Sequence, residues 1–183
     1  FNLAHGTLAA VGGYAVFFLF ATLNWNLYLA AALGIIFTGA IGFLLDKIIY
    51  FPLRRRKASN MVLLVASLGV FTMLQAILAI LFTSQFQTLS AGNLKVYEMF
   101  NGLAVITEVQ LLMLASAIIL FFGLFFLLKY TIFGKAVKAI GDDEEVSKIV
   151  GINTDKIIGR VFFIGSAIAG LAGILVGFDT AIE

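Results

Sequence analysis

The sequence predicts an all-α fold, a polytopic bundle of transmembrane helices with one long charged loop. Three observations predict it. The chain is 62% hydrophobic and only 12% charged, with a mean hydropathy of +1.08, whereas a soluble domain is about 45–50% apolar and about 25% charged. Five apolar runs approach the length of about 20 residues that a spanning helix needs. Almost all basic residues gather on two of the joints between those runs. A core built from 183 residues cannot hide so much apolar surface from water, whereas lipid accepts it in helical form.

The first run covers 8–23, with a start as early as Leu3 also open, and the second covers 27–45. The joint between them, "TLNWN", is short and polar, and Trp25 and Tyr28 suit a lipid–water interface. The remaining spans are expected near 61–82, 109–128 and 157–178. Small residues recur at every fourth position in two of them, as Gly34, Thr38 and Gly42 and as Gly165, Ala169, Gly173 and Gly177. Such stripes let helix backbones approach closely in lipid. Thr38, Ser67, Thr72, Ser116 and Ser166 can satisfy their hydroxyls on their own helix backbones. We expect one transmembrane domain over residues 1–183. The chain starts at Phe1 and ends at Glu183 directly after an apolar run, so it is expected to be the middle of a longer membrane protein.

Charge fixes the expected orientation. "DKIIYFPLRRRKASN" carries Lys47, Arg54, Arg55, Arg56 and Lys57, and the segment 129–156 carries five lysines. With Arg160 snorkelling to the nearer surface, eleven of the twelve basic residues lie on these two loops. Two spans separate them, so both can share one side, and Lys and Arg mark that side as cytoplasmic. Loops 46–60 and 129–156 are therefore expected in the cytoplasm. Arg54 to Lys57 read most simply as a topology signal facing anionic lipid.

The segment 129–156 predicts two short helices. "YTIFGKAVKAI" segregates apolar residues from Lys135 and Lys138, as an amphipathic helix at an interface does. Gly141 is expected to interrupt it. Asp142 or Asp143 would then cap a second helix, with Glu144 and Glu145 in its first turn and Val146, Ile149 and Val150 on one face. Gly151 suits the position just past its end, and Asn153 or Thr154 would cap the next span. A solvated connector accounts for the caps. Four consecutive carboxylates exceed what a cap needs, which points to a short helix shown to a cytoplasmic partner.

"EVSKIVG", Glu145 to Gly151, has the spacing of the EAA-xxx-G signature of ABC importer permeases, with Val146 and Ser147 in place of the two alanines. "FNLAHG" with "GGY" after it, "FPLRRRKAS", and the long stretch from "FGKAVKAIGDDEE" through "GINTDK" resemble the permease subunits of branched-chain amino acid ABC importers. The resemblance runs over essentially the whole chain. It implies that loop 129–156 carries a coupling helix that docks on an ATPase subunit, with Glu145, Val146, Ile149, Val150 and Gly151 at the contact. It further implies two ATP-binding subunits, a second permease subunit and an extracellular or periplasmic solute-binding protein, in the cytoplasmic membrane of a prokaryote. ATP would be bound by the partner subunits and no cofactor by this chain itself. Urea, short-chain amide or sugar permeases are the nearest rivals, and a secondary transporter or a membrane scaffold are rivals of another kind.

Asn2, His5 and Gly6 stand at the start of the first run. They are expected either to satisfy or permit a helix start or break, or to line the translocation path. Gly12 and Gly13 fit close packing or a broken helix. The sequence has no cysteine and one histidine, which excludes thiolate and His-rich metal sites. It has no G-x-x-x-x-G-K-[ST] phosphate loop, and its spans hold no paired carboxylates of the kind a proton relay uses. It has no nucleic-acid-binding signature.

Overall fold

The computed structural model describes residues 3–82, 96–99 and 104–179. Eight α-helices and one hairpin occur among them, in two compact units: 1–92 with 162–183, and 93–161. Four helical segments, Leu27–Arg55, Asn60–Phe82, Glu108–Tyr130 and Thr154–Asp179, are long and apolar enough to cross a membrane. The helix over the first run, His5–Phe20, is apolar but shorter. The chain is thus an all-α, multi-pass membrane protein, with a small hairpin as the exception.

In the first unit, α1 (His5–Phe17) passes into a π-helical turn, Phe18–Thr22. Asn24 then takes a left-handed φ of 54°, and Asn26 accepts a hydrogen bond from Tyr28 N at 2.9 Å to start α2 (Leu27–Leu45). Trp25 and Tyr28 are both exposed at this joint. The loop expected at 46–60 is helical through Arg55. A π turn, Asp46–Tyr50, joins α2 to α3 (Phe51–Arg55), so one rod of 29 residues runs from Leu27 to Arg55. The wider turn is what lets Pro52 remain inside the helix. The Phe51 N–H already reaches back five residues to Asp46 O, and a proline in the first turn of the renewed α-helix has no N–H to place.

Small residues mark the closest helix approaches. A Cβ on Gly12 would lie 2.5 Å from Gly170 Cα, and one on Gly170 2.8 Å from Thr38 Cβ. Gly173 abuts the Ala9 carbonyl, and Gly42 abuts Ser166. Thr38 is fully buried and donates to Gly34 O at 2.8 Å. Thus α1, α2 and the C-terminal part of α8 (Thr154–Asp179) meet almost backbone to backbone, the contact that drives association in lipid. The α4 helix (Asn60–Phe82) joins α1 through Tyr14 stacked on Phe82 at 4.8 Å, and Leu3 N donates to Ser67 Oγ at 3.3 Å. Ser67, Thr72 and Ser116 return their hydroxyls to carbonyls three or four residues back.

The second unit begins with the antiparallel pair β1 (Val96–Met99) and β2 (Ala104–Thr107), in register Val96↔Thr107. Thr107 and Gln110 form a reciprocal capping box that starts α5 (Glu108–Tyr130). Thr131 caps α6 (Ile132–Asp142) by accepting from Gly134 N at 3.0 Å. Gly134 is buried against the Leu127 and Leu128 backbone, where a side chain has no room. That glycine allows α6 to fold closely onto the end of α5.

Candidate functional site

The α7 helix (Glu144–Ile149) is only six residues long, so its ends decide its shape. Asp143 supplies the first end. Its N–H bonds Ala139 O at 3.0 Å and closes α6, while its carboxylate accepts from Val146 N at 2.9 Å and opens α7. A single extended residue therefore separates two helices. The break falls at Asp143 and not at Gly141, which stays inside α6, because an aspartate can cap and the glycine has no side chain to do so. Glu144 and Glu145 occupy the first turn, where the helix dipole favours acids. Lys148 holds Glu144 at 2.7 Å across one turn.

The far end is a complete Schellman motif. Ile152 N donates to Ser147 O at 3.0 Å, Gly151 N donates to Lys148 O at 3.1 Å, and Gly151 sits at φ +89°. An L side chain is strained in that conformation. Asn153 Oδ1 then accepts from Lys156 N at 3.1 Å as α8 begins.

Between these ends the helix has two faces. Ser147 is buried, 2% exposed, whereas Val146, Ile149 and Val150 are exposed, Ile149 to 83%. The position of the first alanine of the EAA pattern is thus an outward valine, and that of the second an inward serine. An apolar surface of three side chains, flanked by Asp142, Glu144 and Glu145, is left without cover in the unit that carries it. It has no nucleophile or paired acid–base groups. What it can do chemically is dock: bury apolar area in a matching groove and steer by charge.

The other sequence-derived candidates lie elsewhere in the chain. Asn2 is outside the described residues. His5 begins α1 and is exposed, with its ring edge 3.9 Å from where a Gly165 Cβ would stand. Gly6 faces open space, so close packing does not require it, in contrast to Gly12 and Gly13. His5 and Gly6 belong to the first unit and Glu145 to Gly151 to the second. No group of three or more His, Cys, Asp or Glu able to hold a metal occurs among the described residues. Sequence reasoning missed the hairpin. It also missed Ser147 as the inward anchor and Gly134 as the close-approach residue of α6.

The family model for the permease component of branched-chain amino acid transport systems matches residues 1–183. The high-affinity branched-chain amino acid transport system permease protein LivH of Salmonella typhimurium is 29% identical over 96% of this chain and 60% of its own length. BraD of Pseudomonas aeruginosa, a permease protein of the same described system, is 30% identical over 97% of this chain and 61% of its own length. A probable branched-chain amino acid transport permease protein LivH of Methanocaldococcus jannaschii is 28% identical over 97% and 56%. The chain therefore spans about 60% of the length of the curated relatives it matches. No solved structure matches it. A family match from the first residue to the last, over a chain with four helices long and apolar enough to cross a membrane, places this chain in the permease-component family of branched-chain amino acid transport systems.

Proposed function

We propose that this chain is the membrane-spanning part of a permease subunit in an ATP-driven importer of branched-chain amino acids, and that α7 is the segment through which an ATPase subunit moves it. The observation that carries the reading is α7 itself: capped at both ends, with Val146, Ile149 and Val150 turned outward on a six-residue helix. Such a knob is small and stiff, and it fits a groove. The acids of its first turn steer it toward basic surface, and Gly151 turns the chain straight back toward α8. The names of the relatives support the substrate class. In this reading α7 and the loop 56–59 face the cytoplasm of a prokaryotic cell, and the hairpin faces outward. Two ATP-binding subunits, a second permease subunit and a solute-binding protein complete the assembly, and nucleotide chemistry stays on the ATP-binding subunits. ATP closes the ATPase pair, α7 is displaced, and the bundle exchanges inward- and outward-open states in proportion to the differential affinity of nucleotide for the two.

The test uses the full-length protein with its ATPase subunits. Single cysteines replace Val146 and Ile149, and site-specific crosslinking to the ATPase is measured with and without ATP. A crosslink whose yield changes with nucleotide is expected. An intact complex that gives no crosslink at either position would return Asp142 to Gly151 to a capped solvent connector.

A further inference from the structure

Arg54 and Asp46 form an ion pair, Nη1 to Oδ1 at 2.8 Å, with Asp46 fully buried and the Arg54 side chain 15% exposed. The pair is incomplete. Arg54 Nε and Nη2 are buried with no hydrogen-bond partner, as is Asp46 Oδ2. Nε and Nη2 together form the side-on edge of the guanidinium, whose two parallel N–H bonds match one phosphate or carboxylate. Buried donors left without a partner are costly, and each calls for an explanation.

Arg54 also lines a cleft of about 590 Å³, whose other walls are Tyr50, Asn60, Met61, Leu63, Leu64 and Phe162. The lining thus combines one cation and the polar groups of Tyr50 and Asn60 with apolar side chains. Its depth in the membrane follows from the helices that make it. The rod from Leu27 ends at Arg55 and α4 begins at Asn60, so the cleft lies where one span ends and the next starts. A rod of 29 residues is roughly 43 Å long, against a hydrocarbon core of about 30 Å, so an end of it reaches the headgroup layer. Arg55, Arg56 and Lys57 follow in sequence and add positive charge there.

We propose that this cleft is a binding site for one anionic phospholipid. Arg54 turns its Nε–Nη2 edge, closed off without the lipid, to the phosphate while Asp46 keeps Nη1, and an acyl chain lies along Leu63, Leu64 and Phe162. Asp46 holds the guanidinium in place, and the phosphate supplies the acceptors that the protein lacks. The inference does not depend on what the transporter carries.

The experiment places the full-length protein in vesicles of phosphatidylcholine doped with photo-crosslinkable phosphatidylglycerol or, in parallel, photo-crosslinkable phosphatidylcholine. The label is mapped by mass spectrometry. Peptides holding 60–64 and Phe162 are expected to carry about fivefold more anionic than zwitterionic lipid, the ratio one basic contact to anionic lipid gives. The excess is expected to survive 1 M salt, where the Debye length is about 3 Å and attraction to the exposed Arg55 and Arg56 is screened. Arg54→Gln is expected to abolish it. Arg54→Lys keeps a charge beside Asp46 but has no side-on edge, and is expected to remove most of it. Equal labelling by the two lipids, loss of the excess in salt, or an excess that persists in Arg54→Lys overturns the inference. Displacement by inorganic phosphate overturns the lipid as occupant, and failure of excess phosphate to displace it supports the lipid.

Discussion

Asp143 ends one helix with its N–H and begins the next with its carboxylate, and the outward set of α7 depends on that single residue and on Gly151. The sequence pattern was legible here because capping chemistry is local: an aspartate before two glutamates and a glycine after an apolar turn admit few conformations. What it left open was the choice between Asp142 and Asp143, because both can cap and only the length of α6 decides. Gly151→Val carries a prediction at this scale. At φ +89° a β-branched residue costs roughly 1–2 kcal/mol, enough to unwind the end of a six-residue helix. We expect solute uptake by the full transporter to fall severalfold while membrane insertion is unchanged. Gly151→Asn, which tolerates the left-handed region better, should retain more uptake than the valine. Equal uptake in both variants would mean that the turn does not need this backbone.

Elements were legible where apolar length alone decides, and less so where packing or register does. The spans near 27–45, 61–82 and 109–128 reappear almost residue for residue as α2, α4 and α5. The continuation of α2 to Arg55 was hidden by Pro52 and by five basic residues, which read as a loop until a π turn makes room for the proline. The hairpin was hidden by its shortness. The joint between α5 and α6 was hidden because Gly134 acts through the backbone of residues six and seven positions earlier, a contact without a periodic signature. Replacing it is informative. A leucine at Gly134 would collide with the Leu128 backbone, and overpacking of this kind costs about 1–3 kcal/mol. Spin labels at Leu124 and Lys138 should report a longer distance in Gly134→Leu than in the parent protein. An unchanged distance would show that α6 is held by its other contacts.

At the scale of the whole molecule, the sidedness of the loops is the property most open to direct test. The loop 56–59 and the segment holding α6 and α7 are separated by two spans, α4 and α5, so they should share a face of the membrane, and the hairpin should lie on the other. Cysteines at Ser59 and Val150 are expected to react with an impermeant maleimide only from the cytoplasmic side, and one at Tyr97 only from outside. Labelling of Ser59 and Val150 from opposite sides would refute the span count. Composition was enough to reach an all-α, multi-pass membrane protein, because lipid demands long apolar helices. It was not enough to reach the bundle interior, where Gly12, Gly170 and Thr38 meet in an order that only three-dimensional packing reveals. The α5 helix belongs to the second unit, where its apolar window has no buried residue. Its ends are marked, by the Thr107–Gln110 capping box at one and by Lys129 over the rings of Phe125 and Tyr130 at the other. The amino acids of α5 thus mark its two ends more sharply than any side of its middle. Exchange of one apolar residue for another in that middle should leave insertion unchanged, whereas changes that shift the marked ends along the membrane normal should be felt.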